Sequence, residues 1–153
     1  MGYLDPFVRR RIAAVLLVAG AIVALLALGN VGPFSDPPSE ADRARAALQE
    51  FFDAAHRKDF TKVCDLITPA QRKTIEKAGK RATGKNVACA DLVGAVGGGA
   101  LARTDLEVLD VRVSATLAAI DTKLRIEGRP GAELRTFQLQ EVDDRWLISD
   151  LGI

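Results

Sequence analysis

The stretch IDTKLRIEGRPGAELRTFQLQEVDDRWLISDL, residues 120–151, reads in twos. Ile120, Thr122, Leu124 and Ile126 alternate with Asp121, Lys123, Arg125 and Glu127. Arg129-Pro130-Gly131 suits a turn with Pro then Gly at its centre. Phe137 and Leu139 then alternate with Thr136, Gln138 and Gln140, and Asp143-Asp144 is a tight turn into RWLISDL. A period of two is the mark of a strand with one covered and one wet face. Strands joined by such short connections pair antiparallel.

Working backwards, Leu109, Val111 and Val113 continue the alternation, while Leu106 and Val108 are out of phase with them. A bulge near residue 108 accommodates the slip. The connection SATLAA (114–119) carries the weakest signal of the four-strand meander. Asp110 and Asp150 sit where the strand phase is least constrained, and a shift of one residue would turn either inward.

Before residue 105 the period is helical. Ser39 suits an N-cap, and Ala44, Ala47, Leu48, Phe51, Phe52 and Ala55 make one stripe. Asp59 caps a second helix that buries Phe60, Val63, Cys64 and Ile67. Thr68-Pro69-Ala70-Gln71 starts a third, with Thr as cap and Pro at the first helical position, ending near Lys80. A short fourth helix over 87–96 puts Cys89, Leu92, Val93 and Val96 on one side, and the glycines 97–99 end it. Helices followed by a meander give an α+β class, three to four helices packed on one face of a bent four-stranded antiparallel sheet.

The segments ALQEFFDAAHRKDFTKVCDLITPAQRK (47–73), VACADLV (87–93) and TFQLQEVDDRWLISDL (136–151) together resemble the nuclear-transport-factor-2-like superfamily, which includes ketosteroid isomerase and scytalone dehydratase. Within it they look most like the small membrane-anchored extracytoplasmic members common in actinobacteria, whose function is unknown. The likeness spans about residues 40–151 and is one of pattern. It implies a strongly bent sheet wrapped on its concave side by helices, a cone.

The N-terminal part reads differently. Residues 12–28, IAAVLLVAGAIVALLAL, hold no charge, and the apolar run extends to Phe34. About 23 residues at 1.5 Å each can cross a hydrocarbon core of about 30 Å. Arg9, Arg10 and Arg11 precede the run, and the next basic residue is Arg43. The organisation expected is a cytoplasmic N-terminus (1–11), a single-pass signal-anchor (12–34), a linker (35–39) and an extracytoplasmic domain (40–153) at the cell membrane. A cleaved signal peptide with a site at ALG (27–29) is the alternative. Residues from Ser39 onward carry equal numbers of basic and acidic side chains, which argues against a nucleic-acid binder.

Export bears on Cys64 and Cys89. Two cysteines and one histidine cannot complete a zinc site. His56 stands at the end of a helix, where the dipole favours a cation and no Cys–His catalysis is needed to explain it. Outside the cytoplasm an even pair is expected to oxidise, with two buried thiols as the alternative.

The superfamily's enzymes place a carboxylate, sometimes with a His or Tyr, inside the cone. Asp121, Glu127 and Glu141 are assigned to the opposite parity, and the single tyrosine is Tyr3. The expected cone is therefore apolar or filled, with Phe51, Phe52, Leu124, Phe137 and Leu139 as its lining, and no cofactor or metal. Neither GAVGGG (94–99) nor TGKN (83–86) meets a nucleotide-binding pattern. Arg72, Lys73, Lys77, Lys80 and Arg81 form a basic run that fits a solvated helix face or contact with anionic lipid headgroups. The expectation is a non-enzymatic, membrane-tethered binding or interaction module of the envelope: an accessory subunit, a homodimer through the sheet, or a holder of an apolar ligand. An isomerase- or dehydratase-like enzyme is the alternative.

Overall fold

The computed structural model describes residues 37–151. The segments 1–11 and 12–34 and the start of the linker lie outside the described residues. Among the described residues no helix is long and apolar enough to cross a membrane. Pro38–Ile153 forms a compact unit, and its hydrophobic core lies wholly within it, so it has what it needs to fold by itself.

Helix α1, Glu40–His56, begins in a capping box. The Asp42 backbone N–H donates to Ser39 Oγ at 3.2 Å, and Ser39 N–H reaches Asp42 Oδ2 at 3.3 Å. The Ser39 hydroxyl also donates to Asp42, which holds that carboxyl below its ordinary pKa. The buried face is Ala44, Leu48, Phe51, Phe52, Ala54 and Ala55. Asp59 caps α2, Phe60–Asp65, by accepting from Lys62 N–H at 3.0 Å. Thr68 caps α3, Pro69–Thr83, through Gln71 N–H at 3.3 Å. This helix runs three residues beyond the expected end at Lys80, because the left-handed C-cap falls on Gly84 (φ 71°).

Helix α4, Cys89–Val96, begins two residues later than expected, and the glycines do not end the helical region. The chain breaks at Gly97 and resumes as the short α5, Gly98–Leu101. Val96, expected on the buried side, is 86 % exposed. Small residues set the spacing in this corner. The Phe60 ring packs on Gly94 and Gly98, and Leu92 packs on Gly79 so closely that a Cβ there would overlap it. Cys64 and Cys89 are joined by a disulfide (Sγ–Sγ 2.10 Å, Cα–Cα 6.2 Å), which ties α2 to the start of α4.

The sheet is β1 (Thr104–Ser114), β2 (Leu117–Ile126), β3 (Glu133–Val142) and β4 (Arg145–Asp150), antiparallel throughout in that order. SATLAA is a tight connection between strands that run almost through it, with Ser114 paired to Leu117. The register slips between Val108 and Asp110, so Leu109 is the bulged residue. It is half exposed and does not share the buried face of Val111 and Val113, as simple alternation had placed it. Leu106, Val108, Val111 and Val113 all pack against the core. A second slip sets Gln138 opposite Asp150 but Leu139 opposite Ile148. Asp110 and Asp150 both end up exposed. The free edge of β4 is covered: Ile148 N–H donates to Leu66 O and Thr68 N–H to Ile148 O, both at 2.9 Å.

Helices cover one face of the sheet. The core of Leu48, Phe51, Ile67, Ile120, Leu139 and Ile148 is sealed from solvent. The other face is a charge ladder. Lys123 meets Glu107 at 3.2 Å, and Arg112 meets Asp121 at 2.7 Å and Asp110 at 3.2 Å. The Thr136 hydroxyl donates to Asp121 at 2.6 Å. That bond and the Arg112 contact hold the Asp121 carboxyl below its ordinary value, and the bond to Asp121 raises Arg112.

Candidate functional site: the open end of the cone

Strand β3 presents Glu133, Arg135, Phe137, Leu139 and Glu141 at every second position, hence on one face. Leu139 is fully enclosed and belongs to the core, as does Phe51. The interior opens toward the first half of β3. There a hollow of about 240 Å³ lies between α1, α5 and the sheet. Its floor is Phe52, Leu124 and Phe137, and Phe52 stands edge-on to Phe137 with ring centroids 5.7 Å apart. Leu101, Ile126 and Leu151 add apolar wall, and Gly97 and Ala100 leave room beside them.

Of the five residues expected to line the cone, Phe52, Leu124 and Phe137 do so, while Phe51 and Leu139 pack behind them. The polar lip was not foreseen. Glu133 and Arg135 share the parity of Phe137 and border the hollow. Arg135 donates to Glu133 Oε2 from Nε at 3.3 Å and from Nη2 at 2.9 Å. Its own carbonyl accepts from the Thr122 hydroxyl at 3.0 Å, and Thr122 is 1 % exposed. The backbone that carries the guanidinium is therefore pinned from the neighbouring strand. Counting back two and four residues from Phe137 is the signal that would have found this pair. His56 Nε2 donates to the carbonyl of Thr104 at 2.8 Å, fastening the end of α1 to this rim. Cys64 lies in its disulfide and offers no free thiol to the imidazole.

At the other end of β3 the face is closed. Glu141 was assigned the outward parity. It lies on the helix-facing side instead, because Arg43 of α1 reaches it. Arg43 Nη2 donates to Glu141 Oε1 at 3.2 Å and to the Asp144 carbonyl at 2.8 Å, and Nη1 donates to Glu40 at 2.6 Å. Trp146 Nε1 donates to the other Glu40 oxygen at 3.1 Å. The bond to Glu40, before the Glu141 contact, raises the Arg43 pKa. Asp121 faces the outer ladder as expected, and Glu127 is exposed.

The basic run divides. Arg72 turns inward: its Nη2 donates to the Cys64 carbonyl at 2.6 Å and lies 3.4 Å from Asp65. It fastens α3 to α2 and is not part of an outward cationic face. Lys73, Lys77, Lys80 and Arg81 are exposed on the side of α3 opposite Ile75 and Gly79. Among the described residues no group of His, Cys, Asp or Glu could hold a metal ion.

Comparison with known proteins places the fold. No family model matches the chain, and no curated protein matches it. A solved NTF2 variant designated Rd1NTF2_05, carrying five substitutions, is similar over 72 % of this chain and 96 % of its own, with 16 % identity and a TM-score of 0.51. An NTF-2 like protein of unknown function from Shewanella oneidensis MR-1 matches over 72 % of this chain and 95 % of its own, with 12 % identity and a TM-score of 0.49. The fold is NTF2-like.

Proposed function

We propose that this chain is a membrane-tethered, extracytoplasmic binding module, non-enzymatic, that holds a small apolar ligand in the open end of its cone. The observation that carries the reading is the hollow itself: an aromatic and aliphatic floor of Phe52, Leu124 and Phe137, with polar groups confined to the lip. The tether rests on the uncharged run 12–28 behind Arg9, Arg10 and Arg11. The disulfide suits an oxidising compartment. An envelope protein, or a second copy across the charge ladder of the sheet, is the macromolecular partner that fits such a module.

The test uses the unit Pro38–Ile153 titrated with 1-octanol and followed by heteronuclear NMR. Saturable one-to-one binding with shifts clustered on Phe52, Leu124 and Phe137 is expected. Leu124→Trp, which fills the hollow, should remove the binding and keep the melting temperature. Shifts that grow without saturation, or that survive Leu124→Trp, would refute the proposal. A reporter fused after Ile153 should be active outside the cytoplasm and stay with membranes after a carbonate wash. A soluble product starting near Asn30 would replace the anchor by a cleaved signal.

One observation favours an isomerase- or dehydratase-like reading: Glu133 is a carboxylate at the hollow. A general base held there needs a dry, oriented oxygen. Glu133 is instead half exposed and ion-paired on its own strand. The binding reading accounts for it better.

A further inference from the structure

We propose that the outer face of α3 is a docking surface for a bilayer of anionic phospholipid, whose phosphate headgroups its cations meet. This goes beyond the ligand reading above and takes one thing from it, the tether that keeps a bilayer at hand.

The helix has 15 residues and is about 22 Å long. Lys73, Lys77, Lys80 and Arg81 stand at i, i+4, i+7 and i+8, so they share one face. The opposite face is held against the unit, with Ile75 packed on the core and Leu92 on Gly79. All four cations are exposed, and among the described residues none of them meets a carboxylate. Glu76, the single acid of the helix, is half-buried beside this face and pairs with none of them.

The helix does not need these charges for itself. Lys80 and Arg81 lie in its last turn and complement the macrodipole, but Lys73 and Lys77 stand too far from that end to do so. Lys73 with Lys77, and Lys77 with Arg81, are like charges four residues apart, which destabilise a helix taken alone. A negative surface laid against the face turns that cost into attraction. The face also lacks what a protein partner would grip. Ala70, Thr74 and Ala78, its exposed neighbours, are small, and no aromatic or large aliphatic side chain stands among the cations. Protein interfaces concentrate their energy in such anchors. A cationic face without one fits a diffuse negative plane, which anionic lipid provides. The equal numbers of basic and acidic side chains from Ser39 onward argue against nucleic acid.

The test sediments the unit Pro38–Ile153 with vesicles of equal parts phosphatidylglycerol and phosphatidylcholine, and with vesicles of phosphatidylcholine alone. Binding to the anionic vesicles should be at least about tenfold tighter, and salt at about 1 M, which screens charges beyond about 3 Å, should release it. Lys77→Gln alone should weaken the binding about fivefold. The quadruple variant Lys73→Gln, Lys77→Gln, Lys80→Gln and Arg81→Gln should lose it and keep the melting temperature. A matched variant, Arg45→Gln, Arg57→Gln, Arg125→Gln and Arg129→Gln, removes the same charge from other exposed positions and should keep most of the binding. Equal affinity for the two kinds of vesicle, equal loss in the two quadruple variants, or binding that survives the α3 variant would overturn the proposal. So would capture of poly-glutamate without binding to vesicles, which would assign the face to an acidic protein. Each of these outcomes leaves the tether and the hollow standing, since the carbonate wash and the 1-octanol titration test those separately.

Discussion

Glu133 and Glu141 stand at opposite ends of one face of β3, and their fates differ. Glu141 is bonded to an arginine from another element, Arg43, 98 positions away in the chain. That contact draws α1 onto the sheet, and the Glu40–Trp146 bond adds to it. Glu133 is bonded to an arginine of its own strand, two positions away. That pair stays within one strand, and the hollow lies beside it. The same ion-pair chemistry therefore joins two layers at one end of β3 and stays within the strand, on the lip of the hollow, at the other.

The largest effect is expected between the two ends. Phe137→Ala removes the ring that both the sealed core and the hollow use, and should cost about 3 to 5 kcal/mol in a denaturant titration. A loss below about 1 kcal/mol would mean that the floor is not packed as described, and the contrast between the ends would fail. Next comes the covalent tie behind the floor. Cys64→Ser and Cys89→Ser should each destabilise by about 3 kcal/mol, and by similar amounts, since either removes the same bond. Alkylation of both cysteines in the denatured, unreduced protein would refute that claim.

Arg43→Ala tests the closed end directly. It should lower the melting temperature by less than the disulfide variants do, and Glu141→Gln should follow it, whereas Glu133→Gln should leave the melting temperature unchanged. Equal responses of the two glutamates would dissolve the comparison. The smallest effect is acidic. Asp42 and Asp121 have folded pKa values below the ordinary 3.8. Such groups stabilise the fold above their unfolded pKa, and the contribution is lost as pH falls through the folded one. Stability should decline below about pH 4, and Asp121→Asn should flatten that decline, because it touches the outer ladder and neither end of β3. An unchanged acid slope would count against the ladder.

The sequence made legible whatever depends on neighbours along the chain. The caps at Ser39, Asp59 and Thr68, the bulge near Val108 and the turn at Asp143-Asp144 are local patterns with local causes. So is the oxidised pair, once an oxidising compartment is assumed. What stayed hidden depends on approach from elsewhere. Glu141 follows Leu139 by two and so shares its face, yet a carboxylate there looks misplaced until Arg43 arrives. Arg135 and Glu133 were overlooked because the alternation was counted forward from Phe137, and a charged pair next to a Pro-Gly turn resembles loop. Val96 lies on an apolar helical period, but the break at Gly97 leaves nothing to cover it. Arg72 belongs to a basic run by composition and to the α2–α3 joint by geometry.

Helix α1 is more than a layer over the sheet. The chain joins the unit at Ser39, beside Glu40, Trp146 and Glu141, the closed end. Seventeen residues at about 1.5 Å each then carry it about 25 Å to His56, which grips Thr104 at the rim of the hollow. The helix is a strut, and its length fixes how far the Glu40–Trp146 end of the unit stands from the hollow.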